Sequence, residues 1–329
     1  MVPAQTGAGA DDETVLFCSA TAWERCGAIW SATAPGLQPV LLHVGQRVSD
    51  EEIARIEIGF MSADLWPHQS SNFMRVATTA PKMRWFHTAS AGVDHPVFGS
   101  LLDRGVRLTT SSGASATPIA HTVIMYLLAM SRNLPAFIDD QRRSRWDQRG
   151  VGDLEGRTVG VLGMGPIGRE VARLAGEFGM RVVGMRRTVS GDEPCETWTF
   201  DRLHELLAII DDLVLAVPAT SQTRGMIAAP ELAMMPPGSR LVNVGRGELL
   251  DEAALVEALR SGHIGAAALD VFTVEPLPQD SPLWTMANVI ITPHSSGTTP
   301  LSTQRAMDCF TMNLGRYVDG GELVNEVRR

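Results

Sequence analysis

The sequence predicts an α/β protein made of two doubly wound parallel sheets. Three observations lead there. Short apolar runs alternate with helical patterns along nearly all of the 329 residues, which implies parallel strands with helices packed on their faces. A charged stretch at 139–153, carrying Trp146, interrupts that alternation and reads as a surface crossing between two units. At Thr158 the pattern restarts, and an apolar strand runs straight into a glycine-rich turn, Gly163-Met-Gly-Pro-Ile-Gly168, that opens a helix. The length suffices for two domains with full cores. A composition of 44% hydrophobic and 20% charged residues is that of a globular chain.

In the first third, 15–18, 39–43, 58–61, 84–87 and 106–109 read as strands, with helices at 23–32, 50–55 and 71–79 between them. Thr117 and Pro118 read as the N-cap and first residue of a long helix to about residue 132. The second half reads as a six-stranded sheet, with strands at 158–162, 181–185, 212–217, 239–244, 266–269 and 288–292. Helices are expected at 169–175, 201–209 and 251–261. The helical stretch 300–318 lies beyond the last strand and is expected to return to the first domain.

A net charge of -9 argues against nucleic acid as an obligate partner, while leaving room for a local basic pocket. Cys18, Cys26, Cys195 and Cys309 have no metal-ligand spacing and read as free thiols of a reducing compartment, with no metal expected. The N-terminus lacks the basic and apolar regions of a signal peptide. The longest apolar run, near 123–130, is too short for a membrane span. A cytoplasmic protein with no membrane partner is expected.

In the glycine turn, Gly163 allows the tight bend, Gly165 lets the backbone approach a pyrophosphate, and Gly168 lets helix and strand pack closely. Free N–H groups and a partial positive charge at the helix N-terminus favour phosphates. The strand–turn–helix context makes Gly163, Met164, Gly165, Pro166, Ile167 and Gly168 a dinucleotide site.

Further candidates stand at the carboxyl ends of later strands, where doubly wound sheets bind ligands. Asn243-Val-Gly-Arg-Gly247 supplies Arg246, the segment 268–276 supplies Asp270 and Glu275, and Thr292-Pro-His-Ser-Ser-Gly297 supplies His294. Singly, each has a plain structural reading: an ion pair, a solvated loop, a cap neighbour or a tight turn. Together, an arginine, a carboxylate and a histidine beside a nicotinamide suit reduction of a 2-oxo acid. His294 donates a proton to the carbonyl oxygen as hydride reaches carbon, and Glu275 holds its imidazole as an available acid. Arg246 polarises the carbonyl and anchors the substrate carboxylate.

From about residue 84 to 299 the chain resembles the D-isomer-specific 2-hydroxyacid dehydrogenases. The resemblance is carried by Ser90-Ala-Gly-Val-Asp94, Gly163-Met-Gly-Pro-Ile-Gly168, Ala216-Val-Pro-Ala-Thr220, Asn243-Val-Gly-Arg-Gly247, Asp270-Val-Phe-Thr-Val-Glu-Pro276 and Pro293-His294. It implies a Rossmann nucleotide domain, 113–293, inserted into a flavodoxin-like substrate domain, 1–112 and 294–329, with a cleft between them and a homodimer built on the nucleotide domains. It implies that Arg246, Glu275 and His294 are the substrate arginine, the orienting acid and the acid/base, and that Asp270 approaches the nicotinamide amide. Backbone N–H groups of Ala91, Gly92 and Val93 would bind the substrate carboxylate. Val217, Pro218, Thr223, Val244, Gly245 and Gly297 would line the dinucleotide.

Three departures from the family pattern stand out. Ile119-Ala-His-Thr122 places His121 where many members have an acid, and a structural substitute is expected. Ala114 stands where formate-oxidising relatives have Asn, which counts against formate. No regulatory domain is expected beyond Arg329, unlike the long form of phosphoglycerate dehydrogenase.

NAD enzymes usually place an acid about 20 residues beyond the glycines to bind the ribose hydroxyls. Here Val182-Val-Gly-Met-Arg-Arg-Thr188 puts Arg186 in that place. A guanidinium cannot accept a hydroxyl proton but pairs well with a 2′-phosphate; Arg187 adds a cation and Thr188 a hydroxyl. NADP(H) is therefore expected to be preferred, with NAD(H) possible. The expected activity is reduction of a small 2-oxo acid to the D-2-hydroxy acid. Alternatives are NAD-dependent oxidation of a D-2-hydroxy acid, or a dinucleotide-sensing corepressor on the same fold. Trp66, Trp85, His87 and Trp284 are candidate pocket residues, although aromatic residues at such positions are more often core.

Overall fold

The structure, a computed structural model, describes residues 13–327. Each strand of the first unit leads into a turn that starts a helix. Strand β1 (Val15–Ser19) is buried throughout and ends at Ser19, whose hydroxyl accepts the Ala22 N–H at 3.0 Å and caps α1 (Ala20–Thr33). After β2 (Gln38–Leu42), Ser49 and Glu52 form a capping box that opens α2 (Asp50–Arg55). Then come β3 (Ile58–Met61), α3 (Ser70–Thr79), β4 (Trp85–Thr88), α4 (Pro96–Asp103) and β5 (Arg107–Thr110). The five strands are parallel in the order β2-β1-β3-β4-β5, the flavodoxin-like arrangement.

The second unit opens with α5 (Ala116–Ser131) and α6 (Leu134–Arg142), followed by β6 (Thr158–Leu162), α7 (Pro166–Glu177), β7 (Arg181–Met185) and β8 (Glu196–Trp198). It continues with α8 (Leu203–Leu207), β9 (Asp212–Leu215), α9 (Ala229–Met234), β10 (Ser239–Asn243), α10 (Glu252–Arg260), β11 (Ile264–Leu269) and β12 (Val289–Ile291). Its seven parallel strands run β12-β11-β10-β9-β6-β7-β8. The winding direction reverses between β6 and β9, and a doubly wound sheet opens its ligand crevice at the carboxyl ends of such a pair.

The final helix, α11 (Pro300–Val318), belongs to the first unit because its apolar side completes that core. Met307, Phe310 and Leu314 pack with Trp30, Phe60 and Trp85, and the Phe60 and Phe310 rings stack at 4.4 Å. The opposite face of the sheet is filled by Phe17 and Phe73, stacked at 4.2 Å, with Phe86. By compactness, residues 13–114 and 300–327 form one unit, and Ser115–Thr299 the other.

Several expectations need correction. The second sheet has a seventh strand, β8, only three residues long and with two polar residues, too brief to register as a period. The long helix begins at Ala116 after Ser115, so Thr117 is no N-cap and Pro118 lies within the first turn, where its missing N–H costs nothing. The stretch 139–153 does not cross between units: α6 includes its first part and all of it lies within the second unit. Asp140 there is buried and paired with Arg149. Among the described residues no helix is long and apolar enough to cross a membrane.

Candidate active site

The three glycines of the β6–α7 turn answer to different neighbours. Gly163 has φ +105, and a Cβ there would stand 2.6 Å from the Ala216 carbonyl oxygen at the end of β9. A Cβ on Gly168 would collide with the Gly163 carbonyl, so helix and strand can meet only without a side chain. Around Gly165 a Cβ would meet no atom within 4 Å. The protein's own packing accounts for the first and third glycines but not the second, which faces open space at the N-terminus of α7. No side chain caps that terminus. An open, uncapped helix start beside a strand reversal fits a pyrophosphate. Met164 is buried against Gly184 of β7, while Val217 and Val244 are buried beside the turn. The Thr223 hydroxyl donates to the Pro218 carbonyl at 2.7 Å and accepts the Thr220 N–H at 2.8 Å, closing the turn after β9.

Arg186 follows the last residue of β7 and is held by the loop beyond it. Its Nη1 donates to Ser190 Oγ at 2.6 Å and to Glu193 Oε1 at 2.5 Å. Hydrogen bonds from Ser190, together with Arg186 and the Gly191 N–H, hold the Glu193 carboxyl well below the usual range. Arg187 donates to Gln222 Oε1 at 3.1 Å, and Thr188 is exposed.

The loops after β10, β11 and β12 carry the remaining residues. Asn243 ends β10 and braces its own loop: its amide donates to the Arg246 carbonyl at 2.9 Å and its Oδ1 accepts the Gly245 N–H at 3.1 Å. Arg246 is half-buried, and its Nη1 donates to the Gly245 carbonyl at 2.7 Å. Gly247 lies against the Phe272 backbone, where a Cβ would not fit, so the arginine loop and the carboxylate loop run in contact. Glu275 Oε1 accepts the Phe272 N–H at 2.9 Å, which aims Oε2 at His294 Nδ1, 2.8 Å away. An ionised carboxylate only accepts, so Nδ1 carries the proton and Nε2 is the nitrogen left to face a reactant.

His294 itself sits at φ 51, in the left-handed region that costs a non-glycine residue about 1 kcal/mol or more. Its neighbours enforce that conformation. The His294 N–H donates to the Asp270 carbonyl at 2.8 Å. The Asp270 side chain, 1% exposed, accepts from Thr292 Oγ1 at 2.5 Å, from the N–H groups of Ser295 and Ser296 at 3.0 and 3.2 Å, and from the Ser296 hydroxyl. Since Thr292 gives its proton to Asp270, the Tyr126 hydroxyl must donate to Thr292. Burial pushes Tyr126 up to about 12, so that donor keeps its proton. Gly297 then lies against Ser115 and Ile119 at the start of α5.

The structure thus brings Glu275 and His294 into direct contact and lays the Arg246 loop against the loop that carries Glu275. Asn243, Glu193, Tyr126, Thr292, Ser295 and Ser296 escaped the sequence reading; the hydroxyls flanking His294 in the chain were the one available signal. In the first unit, Ala91, Gly92 and Val93 form the turn after β4, where Ser90 Oγ donates to the Gly92 carbonyl at 2.9 Å. Trp85 and His87 are fully buried core residues of that unit, while Trp66 and Trp284 are exposed. His121 is exposed on α5, among apolar residues of α5 and α7.

Comparison with known proteins places this geometry. Residues 124–296 match the family model described as D-isomer specific 2-hydroxyacid dehydrogenase, NAD binding domain. D-3-phosphoglycerate dehydrogenase of Methanocaldococcus jannaschii is 35% identical over 256 residues, 77% of this chain and 48% of that protein, so the chain spans about half the length of that relative. Glyoxylate/hydroxypyruvate reductase B of Pectobacterium atrosepticum is 36% identical over 250 residues, 73% of this chain and 78% of that one. Among solved structures, a D-isomer specific 2-hydroxyacid dehydrogenase from Xanthobacter autotrophicus Py2 in complex with NADPH and MES is 31% identical. It superposes with a TM-score of 0.79, covering 96% of this chain and 98% of that one. Glycine turn, strand-end loops, sheet order and these similarities agree: the chain belongs to the D-isomer-specific 2-hydroxyacid dehydrogenase family.

Proposed function

We propose that the protein reduces a small 2-oxo acid, of the glyoxylate or hydroxypyruvate kind, to the D-2-hydroxy acid, with NADPH preferred over NADH. The observation that carries this reading is the His294–Glu275 pair, 2.8 Å apart, on loops at the carboxyl ends of adjacent strands. A bound nicotinamide supplies the hydride. Gly163 to Gly168 and the α7 N-terminus hold its pyrophosphate, with Val217, Pro218, Thr223, Val244, Gly245 and Gly297 around the rest. Arg246 takes the substrate carboxylate and polarises the carbonyl; in the first unit, the backbone N–H groups of Ala91, Gly92 and Val93 are suited to a carboxylate. His294 gives the Nε2 proton to the carbonyl oxygen, while Glu275 keeps the ring oriented through Nδ1. Asp270 holds the loop that sets the His294 ring in place.

Arg186, Arg187 and Thr188 support the NADPH preference, since a 2′-phosphate needs cations and donors rather than an acid. A homodimer is part of the proposal. It is supported by an apolar groove of about 520 Å³ on the second unit, bordered by the exposed side chains of Met125, Leu134 and Phe178. Four unpaired cysteines suit a cytoplasmic setting.

The test follows nucleotide absorbance with NADPH or NADH and glyoxylate, hydroxypyruvate, pyruvate and 2-oxoisovalerate in turn. Turnover is expected with at least one acid, reduced about a hundredfold to ten-thousandfold in His294→Ala. Undiminished turnover in that variant would remove His294 from the chemistry. Nucleotide binding without turnover on any oxo acid would favour a sensing role.

A further inference from the structure

We infer that Glu193 determines cofactor specificity: its carboxylate occupies the anion site beside Arg186 that the 2′-phosphate of NADP would otherwise take, and so moderates the preference for NADPH. The inference rests on the reading of Arg186 given above.

Four donors converge on this carboxylate. Oε1 accepts the Arg186 guanidinium at 2.5 Å, the Ser190 hydroxyl at 2.6 Å and the Ser190 N–H at 2.8 Å, while Oε2 accepts the Gly191 N–H at 2.8 Å. A guanidinium, a hydroxyl and two successive backbone N–H groups are the donors that phosphate monoesters use. Gly191, at φ +85, permits the turn that aims both N–H groups inward. The Glu193 side chain is only 3% exposed, so this is a built-in contact rather than a loose surface carboxylate. A second tie holds the loop against the nucleotide turn: Arg169, in the first turn of α7, donates to the Asp192 carbonyl at 2.6 Å and to its carboxylate at 3.2 Å.

The consequence is electrostatic. An incoming 2′-phosphate brings close to two negative charges toward a guanidinium already neutralised by a carboxylate. It must compete for Arg186 or bind beside a like charge. NADH carries no phosphate at that position and meets no such penalty. The chain therefore combines an arginine that selects NADPH with a carboxylate that limits the selection, and both nucleotides are expected to bind.

The experiment measures dissociation constants of NADPH, NADH, adenosine 2′,5′-bisphosphate and 5′-AMP on the substrate-free protein, by nucleotide fluorescence and calorimetry. It uses the wild type, Glu193→Gln and Arg186→Gln. Glu193→Gln keeps the shape and removes the charge. It should tighten NADPH and the 2′,5′-bisphosphate about tenfold and leave NADH and 5′-AMP within about twofold. Arg186→Gln should weaken only the two 2′-phosphorylated ligands. Unchanged or weaker NADPH binding in Glu193→Gln overturns the inference, and so does an equal gain for NADH. If Arg186→Gln weakens NADPH and the 2′,5′-bisphosphate while Glu193→Gln gains nothing, the cofactor reading survives and the Glu193 inference fails. If neither substitution moves NADPH, both fail.

Discussion

His87 lies within a strand and His294 just beyond one, and their surroundings give them opposite characters. His87 is fully buried in β4, with Nδ1 2.7 Å from Thr109 Oγ1 and Nε2 2.9 Å from Ser111 Oγ. Burial lowers its pKa from 6.5 to about 3, so it stays neutral wherever the fold is stable. The unfolded chain binds a proton below pH 6.5 that the folded chain refuses until about pH 3. Its contribution to stability is therefore complete above pH 6.5 and is lost as pH falls toward 3. In urea unfolding, the wild type should lose up to about 1.4 kcal/mol per pH unit more than His87→Gln across that window. Parallel pH profiles for the two proteins would assign the acid sensitivity to another group. His294, in contrast, is half-exposed and paired with a carboxylate. The proposed catalytic residues were legible because each follows a strand within a short recognisable segment. Their supports were not, because Tyr126 reaches Thr292 across 166 residues, a separation that local pattern does not encode.

At the scale of elements, the β6–α7 turn separates what the fold requires from what a ligand requires. Gly168→Ala would drive a methyl group into the Gly163 carbonyl and push helix from strand, costing about 1–3 kcal/mol of stability. Gly165→Ala meets no protein atom and has an ordinary extended backbone, φ -77, so stability should change by no more than about 0.5–1 kcal/mol. The same methyl group would stand where the pyrophosphate approaches, and nucleotide affinity should fall by about tenfold or more. Thermal unfolding and nucleotide titration of both variants check the contrast; a strongly destabilised Gly165→Ala would show that the turn is packed for its own sake. Apolar strands such as 158–162 were read with their observed bounds because burial leaves a run of Val, Gly and Leu. The three-residue β8 and the helix α6 were missed. Both depend on neighbours, β8 on pairing with β7 and α6 on packing beside α5, rather than on a period of their own.

For the whole molecule, the proposed dimer makes the exposed apolar surface of the second unit its seam. Met125 is 51% exposed, Leu134 46% and Phe178 43%. Replacing Met125 by Glu places a charge in that surface and should shift the protein from two chains to one by light scattering, with the fold intact by circular dichroism. A dimer unaffected by the substitution would locate the seam elsewhere. The amino-acid order alone determined the α/β class and its two parallel sheets, and it pointed to the glycine turn and the three strand-end residues Arg246, Glu275 and His294 as the proposed site. Those features are written in short contiguous segments whose periodicity and glycine spacing have few physical solutions. Folding decided the rest: which histidine became core, which hydroxyls brace the Asp270 loop, and that Glu193 is turned onto Arg186. These outcomes depend on donors and acceptors brought together from elements remote in the chain, or aimed by a loop whose direction only the surrounding packing sets.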